Sequence, residues 1–169
     1  MAFIVEDGTG LSTATSYGAV ADADSYFTDR SSAAWTALSA GAKQVALIKA
    51  TDYMDNIFRF IGIKMLNTQA LQWPRSAAYD PDGYIIEGVP VTLKKACYEY
   101  ALRASAAELA PDPTYVDSNA ILTMEKDQVG LVSEEKRYAV NQPNTIRAYP
   151  MADAMIKYLT MPRGEIFRG

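Results

Sequence analysis

Carboxylates are the side chains that could do acid–base chemistry in this chain, because it contains no histidine and a single cysteine, Cys97. Without histidine, Ser-His-Asp and Cys-His catalysis and the usual zinc sites are excluded. Two pairs of acids lie close in sequence, Asp52 with Asp55 and Asp80 with Asp82. A glycosidase needs two acids fixed about 5–10 Å apart, and proximity in sequence alone does not supply that geometry. We therefore expect no enzymatic activity and no cofactor.

The acidic loop at residues 80–83 carries part of a calcium-binding pattern. Asp80, Asp82 and Gly83 would take positions 3, 5 and 6 of an EF-hand loop. Positions 1 and 12 would then be Ala78 and Val89, which have no side-chain oxygen for the ion. The pattern therefore fails as a metal site, and its proline and glycine predict a turn.

Residues 90–109 predict the central helix that positions the rest. A proline is tolerated in a first helical turn, so we expect the helix to begin at Pro90 and to end before Pro111 and Pro113. Glu99 precedes Arg103 by one helical turn, a spacing at which an acid and a base stabilise a helix slightly. An alanine-rich apolar stripe, against which another helix can pack closely, consists of Leu93, Cys97, Tyr100, Ala104 and Ala107. Cys97 is expected to be a small buried hydrophobe.

Further segments show helical periodicity. Residues 20–30, 42–58 and 150–159 predict helices, and residues 33–38 and 68–71 predict shorter helical turns. Two amphipathic helices and a short one can close a core by packing on one another.

The predicted fold class is mainly α: a small helical bundle with an exposed β-hairpin and extended N- and C-terminal arms. A length of 169 residues suits one domain. Its predicted parts are an N-terminal arm at 1–19, the bundle at 20–110, the hairpin at 120–140, and a C-terminal helix and tail at 145–169. An isolated hairpin is marginal in water, so its two strands need a surface to lie on.

The net charge of −4 is distributed unevenly. Residues 1–42 carry five acidic side chains and one basic side chain, whereas residues 145–169 carry four basic and two acidic ones. Such unlike faces suit copies that meet end to side. No apolar run approaches the roughly 20 residues that cross a bilayer, and the N-terminus lacks the pattern of a signal peptide, so we expect no membrane partner.

Six motifs span most of the chain: IVEDGTGLSTATSY at 4–17, VADADSYFTDR at 20–30, ALIKATDYMD at 46–55, QALQWPRSAAYDPDG at 69–83, VPVTLKKACYEYALRA at 89–104 and YPMADAMIKYL at 149–159. In these motifs the chain resembles the small head–tail connector (adaptor) proteins of long-tailed bacteriophages. Some members of that family are labelled DnaT-like single-stranded DNA-binding proteins.

The resemblance implies a structural role in the neck of a virion assembled in the host cytoplasm. Copies would form a homo-oligomeric ring, with twelve members, between the portal protein and the tail-completion (stopper or terminator) proteins. DNA would pass through this ring without sequence-specific binding. In relatives the C-terminal segment reaches into the portal, so the implied portal- and partner-binding residues are Tyr149, Met151, Met155, Tyr158, Arg163, Ile166, Phe167 and Arg168.

The alternative reading is a true single-stranded DNA binder, which needs a cationic groove with aromatic platforms. The chain has 11 tyrosines, 5 phenylalanines and 2 tryptophans, but most fall on helical stripes where core packing explains them. A net charge of −4 predicts weak attraction to phosphate.

Overall fold

The computed structural model describes residues 2–111 and 148–161, together with the backbone of strands at 115–116, 120–126 and 135–139. The described residues fall into two compact units, one within Met1–Leu109 and Ala148–Gly169 and the other within Ala110–Arg147. The second unit contains the region predicted as a hairpin. The organisation of the whole chain as a single domain stays a prediction.

The first unit is mostly helical, which confirms the predicted fold class. Its helices are α1 (Val20–Thr28), α2 (Ala33–Thr36), α3 (Ala40–Ile57), α4 (Val91–Ala104) and α5 (Pro150–Ile156), and α5 is followed by a 3₁₀ turn at Lys157–Leu159. The segment predicted as a helical turn at 68–71 is not helical, so that prediction is wrong. Two short strands, β1 (Ile63–Lys64) and β2 (Arg75–Ser76), pair antiparallel between α3 and α4.

Helices α3 and α4 form the centre of the core. The hydroxyl of Ser39 caps α3 by accepting a 3.3 Å hydrogen bond from the amide of Ala42. The stripe predicted for α4 is buried at Leu93 and Tyr100, but Ala107 is exposed. The reason is that α4 ends at Ala104, where local hydrogen bonds to the carbonyl of Arg103 tighten the chain into a turn well before the prolines.

The spacing of residues 150–159 predicts a buried stripe of Met151, Met155, Tyr158 and Leu159, and of these four only Leu159 is buried. The inward side chains of helix α5 are Ala152 and Ile156, continued by Leu159 in the 3₁₀ turn. Met151 is exposed and Met155 only half-buried. Ala152 and Ile156, each one position after a predicted methionine, are fully buried, so the buried face differs from the predicted one by one residue except at Leu159.

The N-terminal segment, residues 2–19, contains no helix or long strand and packs on the first unit. Its Val5 and Ser16 form a bridge, and the amide of Glu6 donates to the carbonyl of Ser16 at 2.9 Å. Tyr17 is fully buried, and its amide donates to the hydroxyl of Thr51 on α3 at 3.3 Å. The segment is therefore part of the helical core, and not an arm that leaves it.

The second unit is a three-stranded antiparallel sheet with the order β3 (Tyr115–Val116), β4 (Ala120–Lys126), β5 (Glu135–Ala139). Strands β4 and β5 are the predicted hairpin, which is confirmed, with a register irregularity between Leu122 and Met124. Strand β3 lies in a stretch predicted as a polar connector. The exposure of the hairpin stays a prediction, because its side chains lie outside the described residues.

Candidate functional site

A backbone ribbon between α3 and α4 carries exposed apolar side chains. Residue 63 pairs with 76 and residue 64 with 75, and the amide of Ile86 then donates to the carbonyl of Ala78 at 2.9 Å. The far edge is closed by the amide of Met161, which donates to the carbonyl of Arg59 at 2.7 Å. We use the name ribbon surface for six side chains of this segment that solvent reaches, which are Arg59, Ile63, Lys64, Tyr79, Tyr84 and Ile85. Ile63 and Lys64 are consecutive on β1, so they point to opposite faces of the ribbon.

The ribbon surface exposes two aromatic rings together with two aliphatic side chains. The exposed fraction is 55% for Tyr79, 72% for Tyr84, 68% for Ile63 and 57% for Ile85. Tyr79 and Ile85 are bridged across one turn. Exposed clusters of apolar side chains mark interaction sites more often than scattered single ones do.

The turn at residues 80–84 fixes Tyr84, and its predicted turn conformation is confirmed. One carboxylate oxygen of Asp80 accepts hydrogen bonds from the amides of Asp82 at 3.0 Å and Tyr84 at 2.8 Å. Gly83 has a φ of 88°, a backbone conformation that favours glycine. The acids here organise the turn by binding its own amides, as Asx turns do.

Arg75 holds the base of the ribbon with its guanidinium group. Its Nε donates to the carbonyl of Ile61 at 2.7 Å, and its Nη2 donates to the carbonyl of Gly62 at 2.8 Å. Its Nη1 donates to the carbonyl of Gln72 at 3.1 Å. A Cβ on Gly62 would lie 2.5 Å from the carbonyl oxygen of Ser76, so only glycine fits at this crossing.

Gln69 fixes the loop between β1 and β2 from inside. We call this loop, residues 65–74, the ribbon loop. It is buried, its amide nitrogen donates to the carbonyls of Leu71 at 2.8 Å and Pro74 at 3.0 Å, and its oxygen accepts from the amide of Leu66 at 2.9 Å. Gln69 thus satisfies backbone groups of the ribbon loop, which fixes the conformation of that loop.

Two cations on the ribbon surface lack an acidic partner within the described residues. Arg59 and Lys64 form no ion pair there, whereas Lys43 pairs with Asp24 at 2.8 Å and Arg103 pairs with Glu99 at 2.8 Å. The latter pair confirms the predicted acid-before-base contact on α4. Arg59 is therefore available to an anionic ligand, whereas the positive charge of Lys64 also acts on the Asp55 carboxylate and opposes the rise in its pKa.

A half-buried carboxylate, Asp55 on α3, contacts the ribbon loop. The hydroxyl of Tyr17 donates to its Oδ1, and the amide of Gln72 donates to its Oδ2 at 2.9 Å. The hydroxyl of Tyr17 also accepts from the amide of Trp73 at 3.2 Å. Burial raises the pKa of Asp55 to about 6, and the hydrogen bonds from Tyr17 and Gln72 oppose that rise.

The single cysteine is a buried core residue, and the described residues contain neither a metal-ligand cluster nor a membrane-spanning helix. Cys97 is fully buried, as predicted, and burial raises the pKa of its thiol to about 12. Within residues 2–111 and 148–161, no three Cys, Asp or Glu side chains are grouped to hold a metal ion. None of the helices in the same ranges is both long and apolar enough to cross a bilayer.

The residues implied as partner-binding are spread over different environments. Tyr149 is 7% exposed, and its hydroxyl donates to the carbonyl of Leu109 at 2.9 Å. Met151 is 62% exposed, Met155 is half-buried, and the hydroxyl of Tyr158 is bonded to that of Thr92 at 2.7 Å. Arg163, Ile166, Phe167 and Arg168 lie outside the described residues. Partner binding by these eight residues stays a prediction.

Sequence reasoning did not single out the ribbon surface. Residues 59–89 read as a loop region, because runs of two residues such as 63–64 and 75–76 are too short to show strand periodicity. The available signal was the turn at 80–83, since a turn with an aromatic residue on either side places both rings near one tip. Tyr79 and Tyr84 stand at those positions.

Comparison with known families matches residues 1–169 to the family described as "Putative DnaT-like ssDNA binding protein". No curated protein and no solved structure matches the chain.

The head–tail adaptor interpretation, including its virion structural function, is wrong, because the family that covers the chain is the DNA-binding one and no match to a connector family is found. The predicted homo-oligomer and partners, the virion location and the absence of enzymatic activity stay predictions. Because the match extends over every residue of the sequence, the chain belongs to the DnaT-like ssDNA binding protein family.

Proposed function

We propose that the protein binds single-stranded DNA and that the ribbon surface is its contact site. The observation that carries the proposal is the family match over residues 1–169. The ribbon surface supports it, because it combines exposed aromatic rings with two basic side chains that form no salt bridge among the described residues.

Tyr79 and Tyr84 provide the aromatic part of the proposed contact. Unpaired bases stack on exposed aromatic rings with about 1–3 kcal/mol per base, and they do so with little dependence on sequence. The backbone beneath both rings is fixed by the bridge between Tyr79 and Ile85 and by the Asp80 turn. A preformed platform loses less conformational entropy on binding than a flexible one.

Arg59 and Lys64 provide the cationic part of the contact. Non-specific affinity for nucleic acid comes from cation–phosphate contacts and the release of counterions. Because the whole chain has a net charge of −4, we expect the affinity to depend on these local cations and on stacking. Stacking and local cations permit binding despite the net negative charge, which is the sequence-based argument against DNA binding.

The test is a fluorescence anisotropy titration of labelled oligo(dT) at low salt with the wild type and two double variants. In Tyr79→Ala/Tyr84→Ala both rings are removed, and in Tyr79→Phe/Tyr84→Phe both are kept without their hydroxyls. We expect the alanine variant to bind at least about tenfold more weakly and the phenylalanine variant to bind within about threefold of the wild type.

Met151→Ala is the matched control, because Met151 is an equally exposed apolar side chain outside the ribbon surface. We expect it to bind oligo(dT) like the wild type. Absence of measurable binding by the wild type would overturn the proposed function. Equal binding by the alanine and phenylalanine variants would overturn the ribbon surface as its site.

A further inference from the structure

Residues 78–86 form a tight hairpin that is fixed by its own backbone hydrogen bonds. The amide of Ile86 donates to the carbonyl of Ala78 at 2.9 Å, and closer to the turn the amide of Asp80 donates to the carbonyl of Tyr84 at 2.8 Å. The amide of Gly83 donates to the carbonyl of Asp80 at 3.0 Å, and the positive φ of Gly83 is typical of a three-residue hairpin loop. We call residues 79–85 the hairpin tip.

The register of the hairpin places apolar side chains on both faces of the tip. Tyr79 and Ile85 are bridge partners flanked by the two hydrogen bonds of the ladder, so their side chains stand side by side on one face. Tyr84 immediately precedes Ile85, and successive side chains of a strand point to opposite faces. Tyr84 is also the most exposed large apolar side chain among the described residues. The tip therefore presents one aromatic ring on each face.

The charge of the hairpin tip disfavours contact with phosphate. Residues 79–85 include two acidic side chains, Asp80 and Asp82, and no basic one. The carboxylate of Asp80 accepts hydrogen bonds from amides of the turn, whereas Asp82 is exposed. Negative charge repels the DNA backbone, but stacking on the uncharged face of a base does not depend on it. The tip thus suits a position between base faces, with the phosphates outside it.

A junction between single- and double-stranded DNA offers base faces on two sides of a gap. A single strand that follows one face of the hairpin can stack on one ring and leaves the ring on the other face in water. At a junction, the terminal base pair exposes its outer face and the first unpaired base can turn away from it. Insertion of an apolar side chain between bases costs free energy for unstacking, and this cost is least where a base is already unpaired.

We propose that the hairpin tip inserts at the junction between single- and double-stranded DNA. Tyr84 stacks on the terminal base pair, because its more exposed ring has room for the larger face. Tyr79 and Ile85 together contact the first unpaired base. The inference rests on the proposed function, since it names the DNA structure that the same surface recognises. It also requires that a junction engages both rings, whereas a single strand engages one.

The experiment measures by fluorescence anisotropy the affinity of the wild type for three DNAs at one salt concentration. They are oligo(dT), a duplex closed by a loop at one end that carries the same oligo(dT) as an overhang at the other, and that duplex without its overhang. The overhang is tested with each polarity. We expect about tenfold tighter binding to the junction of one polarity than to either control DNA, the effect of one additional stacked base.

Variants of the tip test whether the second ring carries this preference. We expect Tyr84→Ala to bind the junction and oligo(dT) with affinities within about twofold of each other, and to bind oligo(dT) within about threefold of the wild type through Tyr79. Tyr84→Phe should keep the preference for the junction. Asp82→Asn is the control for charge at the tip, and it should also keep the preference.

A second measurement does not depend on any variant. In the wild type bound to the junction, NMR should show NOEs from the ring protons of Tyr84 to the terminal base pair and from those of Tyr79 to the first thymine of the overhang. NOEs from both rings to the overhang alone would overturn the inference, because the hairpin would then lie along a single strand.

The outcomes separate the junction from the proposed function. Equal affinity of the wild type for the junction and for oligo(dT), or a preference that persists in Tyr84→Ala, would overturn the junction inference and leave the proposed function standing. A preference that disappears when the salt concentration is raised would also overturn it, because phosphate contacts would then be its source. Absence of binding to all three DNAs would overturn the proposed function and the inference with it.

Discussion

The carboxylate of Glu6 is buried in the N-terminal segment and binds backbone amides. Its Oε1 accepts from the amides of Gly8 and Gly10, each at 2.9 Å, and its Oε2 accepts from the amide of Leu11 at 2.9 Å. Hydrogen bonds to an ionised group contribute more than those between neutral groups. Glu6 therefore fixes the conformation of this loop from within.

Glu6→Gln replaces one acceptor oxygen by an NH₂ group, which then faces a backbone N–H. We expect the free energy of unfolding to fall by about 1–3 kcal/mol, measured by urea denaturation. Asp7→Asn is the control, because Asp7 is exposed and binds only the amide and hydroxyl of Thr9. Equal decreases in the free energy of unfolding of the two variants would show that the buried Glu6 carboxylate stabilises the fold no more than the exposed Asp7 carboxylate does.

Asp55 gives the stability of the fold a pH dependence whose sign is opposite to that of most carboxylates. Its pKa is about 6 in the folded protein against an ordinary value of 3.8, so the folded state holds the proton more tightly. Its contribution to stability is fully present below about pH 4 and is lost as the pH rises through about 6. The shift of about two units corresponds to about 3 kcal/mol.

The Asp55→Asn variant isolates this contribution. We expect the wild type, measured relative to the variant by urea denaturation, to lose up to about 3 kcal/mol between about pH 4 and pH 7. A difference between the two proteins that stays constant over this range would contradict the assignment of the shift to Asp55.

At the scale of the elements, two glycines differ in whether the surrounding structure leaves room for a side chain. A Cβ on Gly18, just before α1, would lie 2.3 Å from Cε1 of Tyr98, a buried side chain on α4. A Cβ on Gly41, in the first turn of α3, would meet nothing within 4 Å. The first position therefore requires glycine for the close approach of α1 to α4, and the second does not.

Gly18→Ala and Gly41→Ala form a matched pair of substitutions. We expect Gly18→Ala to lower the free energy of unfolding by about 1–3 kcal/mol through overpacking. Gly41→Ala should raise it by up to about 1 kcal/mol, because alanine has the higher helix propensity. Thermal unfolding of both variants checks the pair. Destabilisation by both would mean that the α1–α4 contact is not the cause.

The helices that could be predicted from sequence are those whose periodicity is long. The spacing of residues 42–58 predicts a stripe of Leu47, Ala50, Met54, Ile57 and Phe58, of which the first three are buried and the last two half-buried. Helix α5 has only seven residues, and a stripe of that length shifts by one position when a small residue such as Ala152 faces the core. Periodicity thus determines element type well, and it determines the buried face only when several turns contribute.

The candidate site could not be predicted in the same way, because its contacts join distant positions. Tyr17 and Asp55 are 38 residues apart, and no local pattern links a tyrosine in a loop to an aspartate on a helix. The donors of Arg75 are used by the backbone carbonyls of Ile61 and Gly62, and no pattern in the sequence indicates this. Whether a charge is free depends on tertiary contacts, which sequence does not contain.

At the scale of the whole molecule, the charge balance determines how salt would affect the proposed binding of DNA. The chain has 16 basic and 20 acidic side chains, so its overall field repels phosphate. Affinity must then come from stacking, which salt affects little, and from the few local cations on the ribbon surface. Each phosphate contact to a single strand contributes about −0.7 to the slope of log affinity against log salt concentration.

Arg59 and Lys64 together therefore predict a slope of about −1.4, far shallower than that of proteins with many phosphate contacts. We expect the affinity for oligo(dT) to fall only about sevenfold when the salt concentration is raised fourfold. Arg59→Gln should flatten the slope by about 0.7, and Lys157→Gln, a lysine on the 3₁₀ turn, should leave it unchanged. A slope steeper than about −4 would mean that basic side chains outside the ribbon surface carry the contact, because two cations cannot release that many counterions.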